Sequence, residues 1–323
     1  MPSRRSPMRA PDFWQRRGPA ALALAPAGWA YAAGGWLREQ FTMPTEAPVP
    51  VLCIGNAAAG GAGKTPTLLA LAAMLADLGP QALSRGYGGR EQGPLLVDPA
   101  RHAAADVGDE PLLLARSLPS WIARDRAAGA QAMAAAGAGL ILMDDGFQNP
   151  SLKKTLSLLV IDSVQGFGNG LCLPAGPLRE PQGRALARAD AVILVGDGAF
   201  TPDTGKPLFP ARIEPCRNHT LKGKKVAAFA GIGRPEKFFA SLAAAGAEVV
   251  AAHSFPDHHL FQENELAQIA DGLTDDVTMV TTEKDWQRLS DDWRSRVTVL
   301  PVEMRFSEAD ALEAVLRERL ARS

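Results

Sequence analysis

Residues 55–75 read GNAAAGGAGKTPTLLALAAML. The apolar run PVPVLCI at 48–54 leads into them, and from Thr65 onward Leu68, Leu69, Leu71, Ala72 and Leu75 make a good helix. Strand, glycine-rich turn and a helix opening on Gly-Lys-Thr is the context that a phosphate-binding loop requires. Backbone N–H groups of such a turn point at phosphate oxygens, and glycines let the backbone come close. On this reading Ala58, Ala59, Gly60, Gly61, Ala62, Gly63, Lys64 and Thr65 cradle a nucleotide. Lys64 would reach the β- and γ-phosphates, and the Thr65 hydroxyl would bind Mg2+. The usual pattern, G-x-x-x-x-G-K-[ST], has glycine where this chain has Ala58. The loop is therefore either a variant site or a glycine-rich turn with an exposed lysine.

A phosphate loop calls for a second element, a buried strand that ends in acids beside the metal. Residues 139–145, GLILMDD, fit: the unbroken apolar run means a strand covered on both faces. Asp144 and Asp145 would stand at its carboxyl end, where open α/β sheets place ligands. Neighbouring strand residues point to opposite sides, so the two cannot face a metal equally. One is expected to hold Mg2+ or its water, the other to anchor a loop.

Beyond these, apolar runs predict strands at 81–85, 121–123, 156–162, 191–195, 225–230, 248–253, 277–281 and 297–302. Helical patterns fall at 110–117, 125–136, 235–245, 263–271 and 308–322. The alternation is that of an α/β protein with parallel sheets. A loop-rich stretch at 200–223 holds Pro202, Pro207, Pro210 and Pro215 and marks a domain boundary, crossed by a pair of connecting strands. The expected division is 1–44, 45–200, 201–223 and 224–323.

Bulk properties narrow the function classes. The chain has 323 residues, 46% hydrophobic and 21% charged, with a net charge of -1. That is a globular composition, and it argues against a nucleic-acid binder working by bulk charge. Cys53, Cys172 and Cys216 are scattered, which suits a reducing compartment and gives no disulfide framework or zinc site. The amino-terminal region is basic, with Arg4, Arg5, Arg9, Arg16, Arg17 and Arg38 against Asp12 and Glu39. Residues 18–37 carry no charge and hold Leu22, Pro26, Trp29, Ala33 and Trp36 at helical spacing. A membrane span, a signal peptide, a core-packing helix and a helix lying on an anionic membrane surface all compete for this segment. Consumption of ATP would exclude the signal peptide.

Polar clusters follow most of the predicted strands: SRGYGG (84–89), VGDEP (107–111), DDGFQN (144–149), GFGNGLCLPAGPLREP (166–181), FPDHH (255–259) and TTEKD (281–285). In this order and wording they closely resemble the tetraacyldisaccharide 4'-kinases, the lipid A 4'-kinases of Gram-negative bacteria, over roughly residues 10–320. In that family a small or polar residue stands where this chain has Ala58. The resemblance implies a P-loop NTPase core with a mostly parallel sheet, a smaller carboxy-terminal α/β domain and an amino-terminal helix on the membrane. It implies transfer of the γ-phosphate of ATP, with Mg2+, to the 4'-hydroxyl of an acylated glucosamine disaccharide 1-phosphate, giving lipid IVA. The setting would be the cytoplasmic face of the inner membrane, with the protein peripheral or shallowly inserted and no obligate protein partner. The same resemblance makes Asp109 the general base, paired with the histidine of the D-H motif, here His258. The adjacent His259 leaves open which of the two faces the site.

Further roles follow from the matched motifs. Arg179 would stabilise phosphoryl charge, and Glu180 would lie near the metal with Thr65, Asp144 and Asp145. Ser84, Arg85, Gln148 and Asn149 are candidate substrate contacts. Asn149 departs from the family, which has histidine there; asparagine can hydrogen-bond but cannot titrate near neutral pH. Outside the resemblance, Asp109 could be a helix cap, and Arg179 and Glu180 an exposed ion pair. The alternative function is a membrane-associated nucleotide switch without kinase activity, which would leave Asp109, His258 and the 166–181 motif unexplained.

Overall fold

A computed structural model describes residues 11–216 and 221–322 of the chain; Arg4, Arg5 and Arg9 lie outside the described residues. The chain forms two compact units. Residues 11–213 and 304–322 make the larger, and 214–303 make the smaller.

The larger unit begins with helix α1 (Pro19–Gln40), entered through Gly18 with proline at its first position. There follow β1 (Val51–Gly55), α2 (Lys64–Met74), β2 (Pro80–Ser84), β3 (Leu95–Leu96), α3 (Ala104–Val107), α4 (Asp109–Leu114), β4 (Ser120–Ile122), α5 (Arg126–Ala135), β5 (Leu140–Asp144), β6 (Leu156–Asp162), α6 (Gln182–Arg188), β7 (Ala191–Val195) and β8 (Leu208–Pro215). The smaller unit contributes β9 (Lys225–Ala230), α7 (Pro235–Ala244), β10 (Glu248–Ser254), α8 (Glu263–Asp271), β11 (Val277–Thr282), α9 (Glu283–Trp286), α10 (Asp291–Arg296) and β12 (Thr298–Leu300). Strand β13 (Val302–Phe306) and helix α11 (Ala309–Leu320) complete the larger one.

Among the described residues the strands form two sheets. The larger runs β13-β8-β7-β6-β1-β5-β2-β4-β3, and the smaller β10-β9-β11-β12. Strand β1 is paired in parallel with β5 on one side and β6 on the other. From β1 the chain builds β2, β3 and β4 on one side, returns through β5, then steps to β6, β7 and β8 on the other. The chain therefore changes direction at β1, the place where open α/β sheets bind ligands.

Alternation explains the unbroken apolar runs. Leu52 and Ile54 of β1, Leu140 and Leu142 of β5, and Leu156, Leu158 and Val160 of β6 all enter one core with Leu68 and Leu71 of α2. Val51, Cys53, Ile141, Met143, Leu159 and Ile161 enter the other, with Ala130 and Met133 of α5. The parity puts Asp144 on the α2 side, continuing Leu140 and Leu142.

Three assignments differ from the sequence expectation. The stretch expected to be a linker at 201–223 contains β8, a strand of the large sheet. The carboxy-terminal helix, expected in the smaller domain, places Leu312, Leu316 and Leu320 in the core beneath α2. Its i, i+4, i+8 stripe shows amphipathicity but not which core it joins. The run expected as one strand at 297–302 is divided between β12 and β13, which belong to different sheets.

Helix α1 buries only small residues, Ala21, Ala25 and Gly28. A Cβ on Gly28 would stand 2.8 Å from the carbonyl oxygen of Cys172, so glycine permits this approach. The tryptophan stripe faces outward: Leu22, Trp29 and Trp36 are exposed, as are Leu37, Phe41 and Met43 beside them. The core-packing reading of that stripe is thereby excluded. No described helix is long and apolar enough to cross a membrane.

Candidate active site

The turn after β1 is fixed from within. Asn56, 2% exposed, donates from Nδ2 to the carbonyl of Ala58 (2.5 Å) and to that of Gly60 (3.3 Å). Its Oδ1 accepts from Lys64 Nζ at 3.2 Å. Gly63 closes the turn at φ +92° and caps α2, a left-handed conformation that suits glycine. Lys64 and Thr65 are thus the first two residues of a helix whose core face is apolar. The 166–181 motif pairs with this turn: Ala59 N donates to Pro177 O, and Arg179 N to Ala57 O, both at 2.7 Å. That ladder delivers Arg179 and Glu180 to the loop.

The two aspartates differ: Asp144 belongs to the strand and Asp145 does not. Asp144 ends β5 and is 3% exposed. Its Oδ2 accepts from Ser84 Oγ at 3.4 Å, while Oδ1 is buried with no hydrogen-bond partner among the described residues. Burial pushes its carboxyl up to about 7, helped by the negative charge of Glu110 and opposed by Lys64. Asp145 leaves the strand at φ +49°, a left-handed conformation that aspartate tolerates better than most residues. Arg179 Nη1 donates to both of its oxygens at 2.8 Å, and Lys64 Nζ lies 3.5 Å from Oδ1. Burial works to raise the Asp145 carboxyl, but the Lys64 and Arg179 charges outweigh it and hold it below the usual range.

Glu180 is also committed. Arg188 Nη2 donates to both its oxygens at 2.6 Å, and Gln148 Nε2 donates to Oε1 at 2.9 Å and to the Asn56 carbonyl at 2.9 Å. Arg188 also donates to Glu39 of α1 (3.1 Å), and Arg38 donates to the carbonyl of Gln148 (2.7 Å). A continuous polar chain therefore runs from the last turn of α1 through Arg188, Glu180, Gln148 and Asn56 to Lys64. The alternative of an exposed Arg179–Glu180 ion pair does not hold: each has another partner.

The remaining predicted residues are distributed as follows. Asp109 is 6% exposed and is the first helical residue of α4; Gly108 is the cap, which removes the capping role for Asp109. Arg85 is exposed beside buried Ser84. Asn149 uses its Oδ1 to accept from Ser151 N and Oγ, both at 2.9 Å, and so holds a turn. His258 belongs to the smaller unit. Its neighbour His259 is engaged there by Glu265 (2.8 Å) and stacked on Phe255.

Sequence reading missed Asn56, Arg188 and Arg126. Arg126, 3% exposed, opens α5 and donates to the carbonyl of Ala123. Burial lowers it to about 10 against the pull of Asp144. No local signal marks an arginine for burial, and its neighbour Asp125 caps α5. Among the described residues no three His, Cys, Asp or Glu side chains are grouped to hold a metal ion.

Fold and cluster together define the class: a mixed α/β protein on a large, mostly parallel sheet, with its charged groups gathered at the carboxyl edge beside a glycine-rich turn. Comparison with known proteins gives the family. The family model described as tetraacyldisaccharide-1-P 4'-kinase matches residues 20–321. A tetraacyldisaccharide 4'-kinase of Rhodospirillum centenum is 51% identical over 328 residues, covering 97% of each chain. That of Methylobacterium nodulans is 52% identical over 330 residues, covering 97% of this chain and 96% of the relative. Among solved structures, LpxK from Aquifex aeolicus in complex with ATP superposes with a TM-score of 0.77 at 28% identity, covering 93% of this chain and 99% of that one. The chain belongs to the tetraacyldisaccharide-1-P 4'-kinase family.

Proposed function

We propose that this chain is an ATP-dependent kinase that phosphorylates the 4'-hydroxyl of a tetraacylated glucosamine disaccharide 1-phosphate, giving lipid IVA. Family membership supplies the reaction. The observation that carries the site assignment is the buried, unsatisfied Oδ1 of Asp144 beside the lysine-bearing turn. A buried carboxylate oxygen left without a donor is costly unless a ligand completes it.

The turn at 58–65 acts as the phosphate loop: its backbone N–H groups and Lys64 bind the β- and γ-phosphates. Asn56 and Asp145 hold Lys64 in place for this. The donor set suits Mg2+, a hard cation that takes one or two carboxylates and completes its shell with phosphates and water. Asp144 and Thr65 would hold it, while Asp145, with both oxygens on Arg179, anchors the arginine-bearing loop instead of binding the metal. When bound, Mg2+ supplies charge neutralisation on the transferring phosphoryl group. Glu180, with both oxygens on Arg188, positions Gln148 and Asn56 rather than binding the metal.

Asp109 accepts the proton of the sugar hydroxyl as its oxygen bonds to phosphorus; the family's motif gives His258 the part of the tuning imidazole. Arg179 stabilises charge on the transferred group, steered by Asp145. Exposed Arg85 meets polar groups of the substrate, while Ser84, Gln148 and Asn149 work through the protein contacts already described. The outward apolar face of α1 lies on the membrane surface, which brings the enzyme to an acceptor that stays in the bilayer. ATP places this face of the membrane in the cytoplasm.

The test is an assay with labelled ATP and acylated disaccharide 1-phosphate in detergent. Transfer to the lipid is expected, with Lys64→Ala losing roughly 10²–10³-fold in kcat and Asp109→Ala losing at least about 10²-fold while staying folded. Full activity in Asp109→Ala would remove it as the base. ATP hydrolysis without lipid phosphorylation would favour the switch reading.

A further inference from the structure

The motif TTEKD at 281–285 has no place in the chemistry above, yet it builds a polar ring in the smaller unit, buried at Asp285 and exposed at His258. Thr282 caps α9: its Oγ1 accepts from Asp285 N (3.0 Å) and donates to Asp285 Oδ2 (2.7 Å). Asp285 is 0% exposed. Its Oδ2 also accepts from Gly231 N, the first residue after β9, at 3.0 Å, and its Oδ1 accepts from Arg288 Nη1 at 2.9 Å. Arg288 Nη1 also donates to Gly231 O at 3.0 Å, and the same carbonyl accepts from the backbone N–H of His258 at 3.1 Å. The other arm of the fork closes the ring: Arg288 Nη2 lies 3.2 Å from His258 Nδ1.

This last contact has a direction. A guanidinium has donors only and does not lose its proton. His258 Nδ1 must therefore be the acceptor, and a neutral imidazole then carries its proton on Nε2. Lys284 Nζ, 3.5 Å from Nε2, competes from a flexible stem at the limit of hydrogen-bond reach. Arg288 is nearer, is fixed by Asp285 and Gly231, and its side chain is 3% exposed. The backbone of His258 is held as well, at φ +59°, a conformation that costs histidine energy and persists because its N–H is tied to Gly231.

We propose that Asp285 and Arg288 are positioning residues that fix His258 as its Nε2–H tautomer. Resting on the reading of His258 as the imidazole of the general-base pair, this gives the TTEKD motif a function. A carboxylate base is oriented by an N–H donor, and Arg288 ensures that the ring nitrogen pointing away from it is that donor. The neighbouring His259, turned to Glu265, has no such arrangement.

The experiment uses the full chain labelled with 15N-histidine, which has five histidines to assign, and Arg288→Lys, which keeps a cation for Asp285 but has no second arm. In the wild type, long-range 15N–1H spectra at pH 8 should show His258 Nδ1 unprotonated and Nε2 protonated; in Arg288→Lys the Nδ1–H form should become populated. Arg288→Lys should lower kcat by about tenfold with KM for ATP unchanged. On a His258→Ala background it should lower kcat no further, because residues acting through one another are not additive. A protonated Nδ1 in the wild type would overturn the proposal, as would an equal loss of kcat on both backgrounds. The spectra need no substrate, so they stand or fall apart from the kinase assignment, which fails only if the wild type transfers no phosphate to the lipid.

Discussion

Asp144 and Asp285 are both buried carboxylates near the carboxyl end of a parallel strand, one in each unit. Asp285 is closed: Thr282, Gly231 and Arg288 donate to its oxygens, and Arg288 supplies a matching charge. Asp144 is open: one weak contact from Ser84 and one oxygen with nothing, while burial pushes its carboxyl to about 7. The difference separates scaffold from site. A satisfied buried charge specifies a structure, whereas an unsatisfied one carries a cost that a bound cation and its phosphates would relieve.

Breaking the closed member should have the largest structural effect. Asp285→Ala leaves the Arg288 charge buried without its partner, and about 3–5 kcal/mol of stability should be lost from the smaller unit, read by urea unfolding. Opening the ring with little loss would mean that the two aspartates are not so different.

The open member should show itself through pH. The folded pKa of Asp144, about 7, lies above the ordinary aspartate value of 3.8. Between those values the folded state holds a proton that the unfolded state has released, so stability of the ligand-free protein falls as pH rises from about 4 to 7. In chelator, Asp144→Asn should flatten that part of the profile and raise Tm at pH 8 by a few degrees. A profile identical to wild type would place the Asp144 carboxyl near its ordinary range and remove the contrast.

The chain from α1 to the loop should respond more modestly. Arg188→Gln releases Glu180 and Glu39 together, and a loss of about tenfold in kcat/KM for ATP, or ~1.4 kcal/mol, is expected. An unchanged value would make that network a surface tie rather than a support for Asn56 and Lys64. The smallest effect belongs to Asn149→His, which restores the residue typical of the family. Because the Asn149 side chain is spent on the Ser151 turn, kcat should change by less than about threefold, with a loss near ~1 kcal/mol from the turn's hydrogen bonds. A large rise in kcat would show that a titrating group belongs there.

How much of this could be read from the sequence follows from range. The glycine turn, the strand ending in Asp144 and most of the alternating elements are local patterns and lie where their residues indicated; β8 and the divided run at 297–302 do not. The two-residue strand period leads to the expectation that Asp144 and Asp145 differ; they do, but because Asp145 leaves the strand at φ +49° to meet Arg179. What escaped depends on contacts across more than a hundred residues. Nothing around Leu312, Leu316 and Leu320 says that α11 joins the core under α2. Nothing around Arg188 says that it bridges Glu39 and Glu180. The outward face of α1 was written in the tryptophan stripe, but the stripe fits a core equally well; exposure of Trp29 and Trp36 decides between the two.

The most direct test of the account is phosphoryl transfer by Asp144→Asn in saturating Mg2+ and ATP, measured beside its melting temperature. The substitution keeps the shape of the side chain and removes the charge that is to meet the cation. The account predicts a kcat lower by about 10²–10³-fold in a protein at least as stable as wild type at pH 8. Turnover near that of the wild type, with the same dependence on Mg2+, would contradict it.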